Sequence, residues 1–352
     1  MTHTPGSAQT ASPTGKPPRK IWLYLPFILF ALICAAYTGY WFFVKGKLDD
    51  GVNDFIAQQR AAGGEITYSE KHLGGFPFRF ALTVDDLTFA NPEAGFDWQA
   101  EKLQINMQPW NFFHAIFRSS GRNELAFANG QDYTAILGKK SALSLNWDSE
   151  NIREAGLSLD TADIVGAFGD VGLKNFKASY LDAGTGIAGK RILIDWDGVT
   201  LADSMIAGTD AEILGTELQA SRLRLQGEGF GVFGEAEERK IEIAQLLFNW
   251  GPLKLGSKGK FDVTDTCQPN GLLEVRLDDI ENLSQSLLDR NLIDGAALDY
   301  LRDASAVFQN GNFLGLPLYN GNVTMLNFEY PVPIDISSIP RSFGCSDAPP
   351  AE

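Results

Sequence analysis

The sequence predicts a mainly β (α+β) protein: an N-terminal transmembrane helix, then a long antiparallel sheet, curved or sandwich-like, with two helices in the C-terminal third. Three observations carry that fold class. Residues 21–44 form an apolar run without a single charged side chain. After Gly63-Gly64 the apolar positions recur at every second residue with polar neighbours between them, the signature of strands with one dry face. From residue 282 the apolar spacing returns to that of a helix.

Taken in order, Met1 to Pro18 is rich in Ser, Thr, Pro and Gly and has no apolar period, which predicts a disordered cytoplasmic tail over residues 1–20. The run 21–44 would reach about 36 Å as a helix, enough for a hydrocarbon core of about 30 Å. Trp22 and Tyr24 at one end, and Tyr37, Tyr40 and Trp41 near the other, stand where amphipathic rings favour the headgroup zone. Lys16, Arg19 and Lys20 precede the run, whereas Lys45 and Lys47 after it are offset by Asp49, Asp50 and Asp54. The positive-inside rule then leaves the N-terminus in the cytoplasm and the body in the periplasm, anchored to the inner membrane. The alternative is a cleaved signal peptide with Cys34-Ala-Ala or Thr38-Gly at the cleavage region, but the run is longer and more aromatic than such segments usually are.

Leu48, Val52, Phe55 and Ile56 keep a helical spacing, predicting a helical extension over 45–63 that stops at Gly63-Gly64. Residues 64–335 are the β-rich domain. Phe76, Phe78, Phe80, Leu82 and Val84 fall on one side of a first strand; Leu103, Ile105, Met107, then Leu143, Leu145, Trp147, then Ile192, Ile194, Trp196 repeat the rhythm. It continues in Leu223 and Leu225, Ile241 and Ile243, Leu253 and Leu255, and Leu273, Val275 and Leu277. Asn129-Gly130, Asp197-Gly198 and Asn270-Gly271 read as hairpin turns. Asp97-Trp98, Asn146-Trp147, Asp195-Trp196 and Asn249-Trp250 suggest a weak internal repeat of hairpin units. Leu283, Leu287, Leu288 and Leu292, then Leu298, Leu301 and Val307, fit two helices; strands resume over 314–318 and 323–328, and 336–352 is an irregular tail.

The formal charge is −15, and since the first twenty residues contribute +3, the body carries −18. Such a body is repelled by phosphate backbones and by anionic lipid headgroups, which argues against nucleic acid as a partner and against long-range electrostatic adhesion to a bilayer. Cys267 and Cys345 could bridge in an oxidising compartment, closing a long loop worth roughly 4 kcal/mol, or remain two thiols.

Tyr68 followed by Gly74-Gly75-Phe76-Pro77-Phe78-Arg79-Phe80, then Pro109-Trp110, Trp250-Gly251-Pro252-Leu253 and Gly311-Asn312-Phe313-Leu314-Gly315-Leu316-Pro317-Leu318, completes a pattern with the anchor and short helix. It resembles the bacterial domain-of-unknown-function family 2125, from the anchor to about residue 335. The resemblance implies a single anchor and an envelope location but no chemistry. The layout is also similar in outline to AsmA-like proteins, whose elongated sheets form apolar grooves for lipid, by analogy of fold only.

Chemistry-bearing motifs are weak. Gly184-Thr185-Gly186-Ile187-Ala188-Gly189-Lys190 approximates a phosphate loop, but Arg191 replaces the required hydroxyl and a strand follows where a helix should begin. Gly229-Phe230-Gly231-Val232-Phe233-Gly234 runs into the charged stretch 235–240 instead. Neither predicts a nucleotide, and no cofactor or metal is expected. His72 and His114 stand in no zinc or nucleophile motif, and Asp85-Asp86 and Asp278-Asp279 read as solvated strand ends. A hydrolase would need a Ser and a carboxylate beside one of the histidines. Arg79 points away from the Phe face, either toward an acidic residue on the next strand or toward a lipid headgroup phosphate. Phe76, Phe78, Phe80 and Leu82 are either core or the wall of an acyl-chain groove. The expectation is a non-enzymatic envelope protein holding lipid or another amphiphile in an apolar β groove. The alternative is an assembly or scaffold protein that binds another envelope protein.

Overall fold

The structure is a computed structural model that describes residues 21–91, 95–127, 132–148, 151–166, 169–182, 189–228, 239–263, 269–296, 298–299, 302, 313–319, 322–325 and 328–331. The chain divides into two compact units, residues 1–51 and 52–352. Helix α1 (Ile21–Ala61) supplies the first with an apolar helix and the second with its opening segment.

In the first unit, large apolar side chains such as Phe27, Leu29, Phe30 and Ile33 are more than half exposed. Apolar side chains in that state suit a lipid environment, and the helix is long and apolar enough to cross a membrane or to serve as a signal sequence. Thr38 satisfies its hydroxyl within the helix, donating to the Cys34 carbonyl at 2.8 Å.

The second unit opens with the end of α1. Gly63, at φ +84°, lets the Gly63 N–H reach the Arg60 carbonyl and the Gly64 N–H reach the Gln59 carbonyl, the paired bonds of a Schellman stop. The strands that follow are β1 (Glu65–Thr67), β2 (Glu70–Gly74), β3 (Phe80–Asn91), β4 (Phe96–Gln108), β5 (Asn111–Phe127), β6 (Asp132–Leu137) and β7 (Ala142–Trp147). β8 (Ile152–Gly166), β9 (Gly169–Asp182), β10 (Lys190–Leu201), β11 (Glu217–Glu228), β12 (Arg239–Trp250), β13 (Leu253–Val263) and β14 (Pro269–Asp278) continue the series. β15 (Leu314–Tyr319), β16 (Asn322–Met325) and β17 (Phe328–Pro331) complete it. Short helices α2 (Asp203–Ile206) and α3 (Ile280–Asp289) interrupt the strands.

Every described pairing is antiparallel. β1 and β2 share β3, β6 and β7 both bridge β5 to β8, and elsewhere each strand pairs with its sequence neighbour. The result among the described residues is one continuous hydrogen-bonded sheet of 17 strands. Because directly paired residues point to the same side, the register can be read across the sheet as rows. Leu82, Ile105, Phe117, Leu143, Leu157 and Ala178 stand opposite one another in turn across β3, β4, β5, β7, β8 and β9. Ile194, Leu223, Leu246, Ser257, Val275 and Leu314 extend the same row over β10 to β15. At about 4.8 Å per strand the row runs for roughly 50 Å.

Several expectations need correction. The strand drawn from Phe76 begins only at Phe80: Gly75 to Arg79 is a turn with a cis Phe76–Pro77 bond, closed by the Arg79 N–H on the Gly75 carbonyl. Pro77 has no N–H to give a ladder, and Gly75 sits at φ +103°, where a Cβ would lie 2.6 Å from the Arg79 carbonyl oxygen. Asp197-Gly198 lies inside β10 and Asn270-Gly271 inside β14, not in turns. The positive φ near the first pair belongs instead to Asn175 on β9, whose amide donates to Asp197 at 2.7 Å. Asp85-Asp86 also lies within β3. The four Asx-Trp pairs occupy unlike positions: Trp147 and Trp250 end their strands, Trp98 is near the start of β4 and Trp196 is mid-strand. The first C-terminal helix is α3; most of the second, Asn129-Gly130, residues 229–238, Cys267 and Cys345 lie outside the described residues.

Candidate functional site

The core of the second unit forms where α1 crosses the first strands. Ile56 packs with Ile66, Val84, Leu87, Ala100 and Leu103, all at most 9 % exposed. Val84 and Leu87, like Ala100 and Leu103, are three residues apart, yet each pair faces this core. Irregular backbone re-aims them: Asp86 has φ +50°, and a register shift between Ala100 and Lys102 lies opposite Gly121 at φ +81°.

Beside that core lies a partly open cleft of about 540 Å³, within the range of about 300–1,000 Å³ usual for small-molecule sites. One wall is helical, from Val52, Phe55 and Ile56. The floor is the dry face of the sheet: Leu82, Val84, Leu87 and Phe89 of β3, Trp98, Leu103 and Ile105 of β4, Phe117 of β5, then Leu143, Leu157 and Leu159. Only Tyr68, Lys71, Ser119 and Ser141 break the apolar lining. Polar atoms at its border are satisfied. Lys71 Nζ donates to Asn53 at 2.7 Å, Ser119 Oγ to Asn123 Oδ1 at 2.7 Å, and Trp98 Nε1 to the same oxygen at 3.4 Å. The floor belongs to the long apolar row, so the cleft is the helix-walled part of a much longer dry face.

Of the four residues expected to line a groove, Leu82 does so. Phe80 is buried with its ring stacked on Phe112, centroids 6.2 Å apart, while Phe76 and Phe78 are exposed in the turn before β3. Arg79 is exposed in the same turn, and no carboxylate among the described residues pairs with it. Sequence reasoning missed Trp98, Leu87 and Leu159 in the floor and the helical wall altogether. The spacing of Val52, Phe55 and Ile56 carried the signal for that wall, since one apolar stripe on a helix beyond the anchor must face something.

Several charged groups elsewhere form ion pairs at the surface. Asp85 meets Lys102 at 3.1 Å and Asp278 meets Arg276 at 2.9 Å. Asp279 accepts from Lys254 at 2.8 Å, a hydrogen bond that lowers its carboxyl pKa below the ordinary value. Burial pushes the Tyr180 phenol up, with the Asp182 carboxylate adding to the shift. His114 Nε2 lies 2.9 Å from Ser144 Oγ, but among the described residues no carboxylate orients that ring, and neither residue lines the cleft. No group of three or more His, Cys, Asp or Glu suited to a metal occurs among the described residues.

Neither a curated protein nor a solved structure matches the chain. A family profile does, over residues 41–323, which takes in the end of the apolar helix, the helical wall and the sheet through most of its length. The chain therefore belongs to a family described as uncharacterized proteins conserved in bacteria, domain-of-unknown-function family 2125.

Proposed function

We propose that this protein is a single-pass inner-membrane protein whose second unit, on the periplasmic side, holds lipid or another amphiphile in the apolar cleft. The observation that carries the reading is the lining of that cleft: 21 residues, of which Lys71 and Tyr68 are the titratable ones. A surface that dry costs free energy when left to water, at about 25 cal/mol per Å² of apolar area, and an acyl chain removes the cost without needing hydrogen bonds. Lys71 at the edge gives an anionic headgroup a partner. The row of roughly 50 Å, apolar except at Ser257, supports a role in which an aliphatic chain lies along the sheet. The same lining supports a binding protein over an enzyme, because its two serine hydroxyls are tied up in the walls, Ser119 on Asn123 and the buried Ser141 on the Asp160 carboxylate at 3.3 Å. The cationic flank before the apolar helix supports the orientation.

The test is mass spectrometry of organic extracts from protein purified in mild detergent out of its own membranes. Near-stoichiometric amphiphile in the wild type, lost in Phe117→Glu while circular dichroism is unchanged, is the expected result. Equal amphiphile in both proteins, together with crosslinking in cells to one dominant protein, would replace this reading with that of a scaffold.

A further inference from the structure

We propose that the end of the sheet formed by the Gly75–Arg79 and Pro109–Trp110 turns is a bilayer-docking surface. Its aromatic side chains enter the headgroup zone and Arg79 meets lipid phosphate. Four large rings stand out there: Phe76 is 47 %, Phe78 73 %, Trp110 65 % and Phe113 54 % exposed. The register gathers them. Phe80 pairs with Met107, so the turn before Phe80 and the turn after Gln108 lie at one end of adjacent strands, and the Phe80–Phe112 stack joins β3 to β5. Exposed rings in such a cluster suit the interface of a bilayer, where one part of a Trp or Phe is dry and its surroundings are wet.

Charge sets this end apart from the rest of the body. Residues 71–84 and 102–123 contain no Asp or Glu, although one residue in eight of the chain is acidic. Of their cations, Lys102 and Arg122 are ion-paired with Asp85 and Glu124 away from the turns, while Arg79 lies in the Gly75–Arg79 turn itself and Arg118 is exposed on β5. An acidic body is repelled by anionic lipid, so contact is confined to the part of the surface that lacks carboxylates.

The path of the chain picks the same end. Arg60 reaches the Ile66 carbonyl, level with Phe89, and Asn53 holds Lys71, level with Val84. From residue 60 back to residue 53 the helix thus runs along β3 toward Phe80, and the chain joins the unit from the side of the aromatic turns. Only residues 45–51 separate Val52 from the uncharged run, a tether of at most about 25 Å at roughly 3.5 Å per residue. Docking is independent of what the cleft holds. If the cleft also takes lipid, Leu82 and Ile105 form its edge nearest the bilayer, two residue pairs beyond Phe80 and Met107.

The experiment uses the full chain with Cys34, Cys267 and Cys345 changed to Ser, reconstituted into vesicles of phosphatidylethanolamine and phosphatidylglycerol containing brominated phospholipid. An environment-sensitive fluorophore is placed at Phe78→Cys or, at the opposite end of β3's ladder, at Glu65→Cys. Both residues are exposed, so neither change removes core packing. Quenching several-fold stronger at position 78 than at 65, and weakened by Arg79→Ala, is expected. Equal or absent quenching at the two positions overturns the proposal. So does a photocrosslinker at position 78 that captures protein and no lipid in cells. Loss of docking with extracted amphiphile unchanged would leave the cleft reading standing.

Discussion

The two halves of the sheet share one pattern and differ in what covers it. Across β3 to β8 the dry face is roofed in part by α1, and Val84, Leu87, Ala100, Leu103 and Leu159 are buried. Across β9 to β14 the same alternation leaves Ala178, Ile194, Leu223, Leu246 and Val275 only half-buried, with Ser257 and Phe261 of β13 among the buried exceptions. Strand periodicity therefore sets which side is apolar, while a separate element decides whether that side becomes core or stays available. The ten helical residues from Val52 to Ala61 make that difference.

The largest expected effect tests the roof directly. Leu103→Ala removes a buried side chain at the centre of the core and should cost about 2–5 kcal/mol of unfolding free energy. Ile194→Ala on the unroofed half should cost about 1 kcal/mol or less, because solvent and neighbours already share its surface. Equal losses in denaturant titrations would erase the distinction between the halves. A second contrast sharpens it in binding. Phe117→Glu in the cleft should abolish amphiphile retention in extracted protein, whereas Leu273→Glu on the far half should reduce it only partly if the whole row is used.

Much of this was legible in the residues. Ile192, Ile194 and Trp196, or Leu273, Val275 and Leu277, alternate so regularly that their strands could be drawn in place, and Gly63-Gly64 marked the end of the helix. Tertiary irregularity hid the rest. Val84 and Leu87 share a core only because Asp86 leaves the usual backbone region, and no alternation rule foresees a three-residue step. Phe76 and Phe78 looked like strand residues because their apolar parity matched Phe80. The Pro between them, which cannot join a ladder, was the contrary signal. Asn270-Gly271 mimics a turn pair yet lies within a strand, since the local preference of two residues yields to the pairing of ten.

Two smaller effects separate the halves further. Gly63→Ala forces a side chain into the left-handed region at the helix stop and should cost about 1 kcal/mol, loosening the roofed half alone. Hydrogen exchange should then rise in β3 and β4 while β10 to β13 keep their protection. On the unroofed half, Tyr180 has a folded pKa above its unfolded value of about 10. Its contribution to stability is fully present below that unfolded value and is lost as pH rises through the folded one. Unfolding midpoints should therefore fall above pH 10, and fall less in Tyr180→Phe, with the phenolate absorbance of the wild type appearing late in the titration.

Pairing between sequence neighbours has one more consequence. From β9 onward each strand needs only the strand synthesised just before it, so loop-closure entropy stays low at every step. A polypeptide fed across a membrane from its anchor end could thus crystallise its sheet vectorially, adding one ribbon at a time as each emerges. By the same logic, gain or loss of a whole hairpin would lengthen or shorten the sheet by about 10 Å without repacking the remainder, which makes length itself a property that evolution can dial.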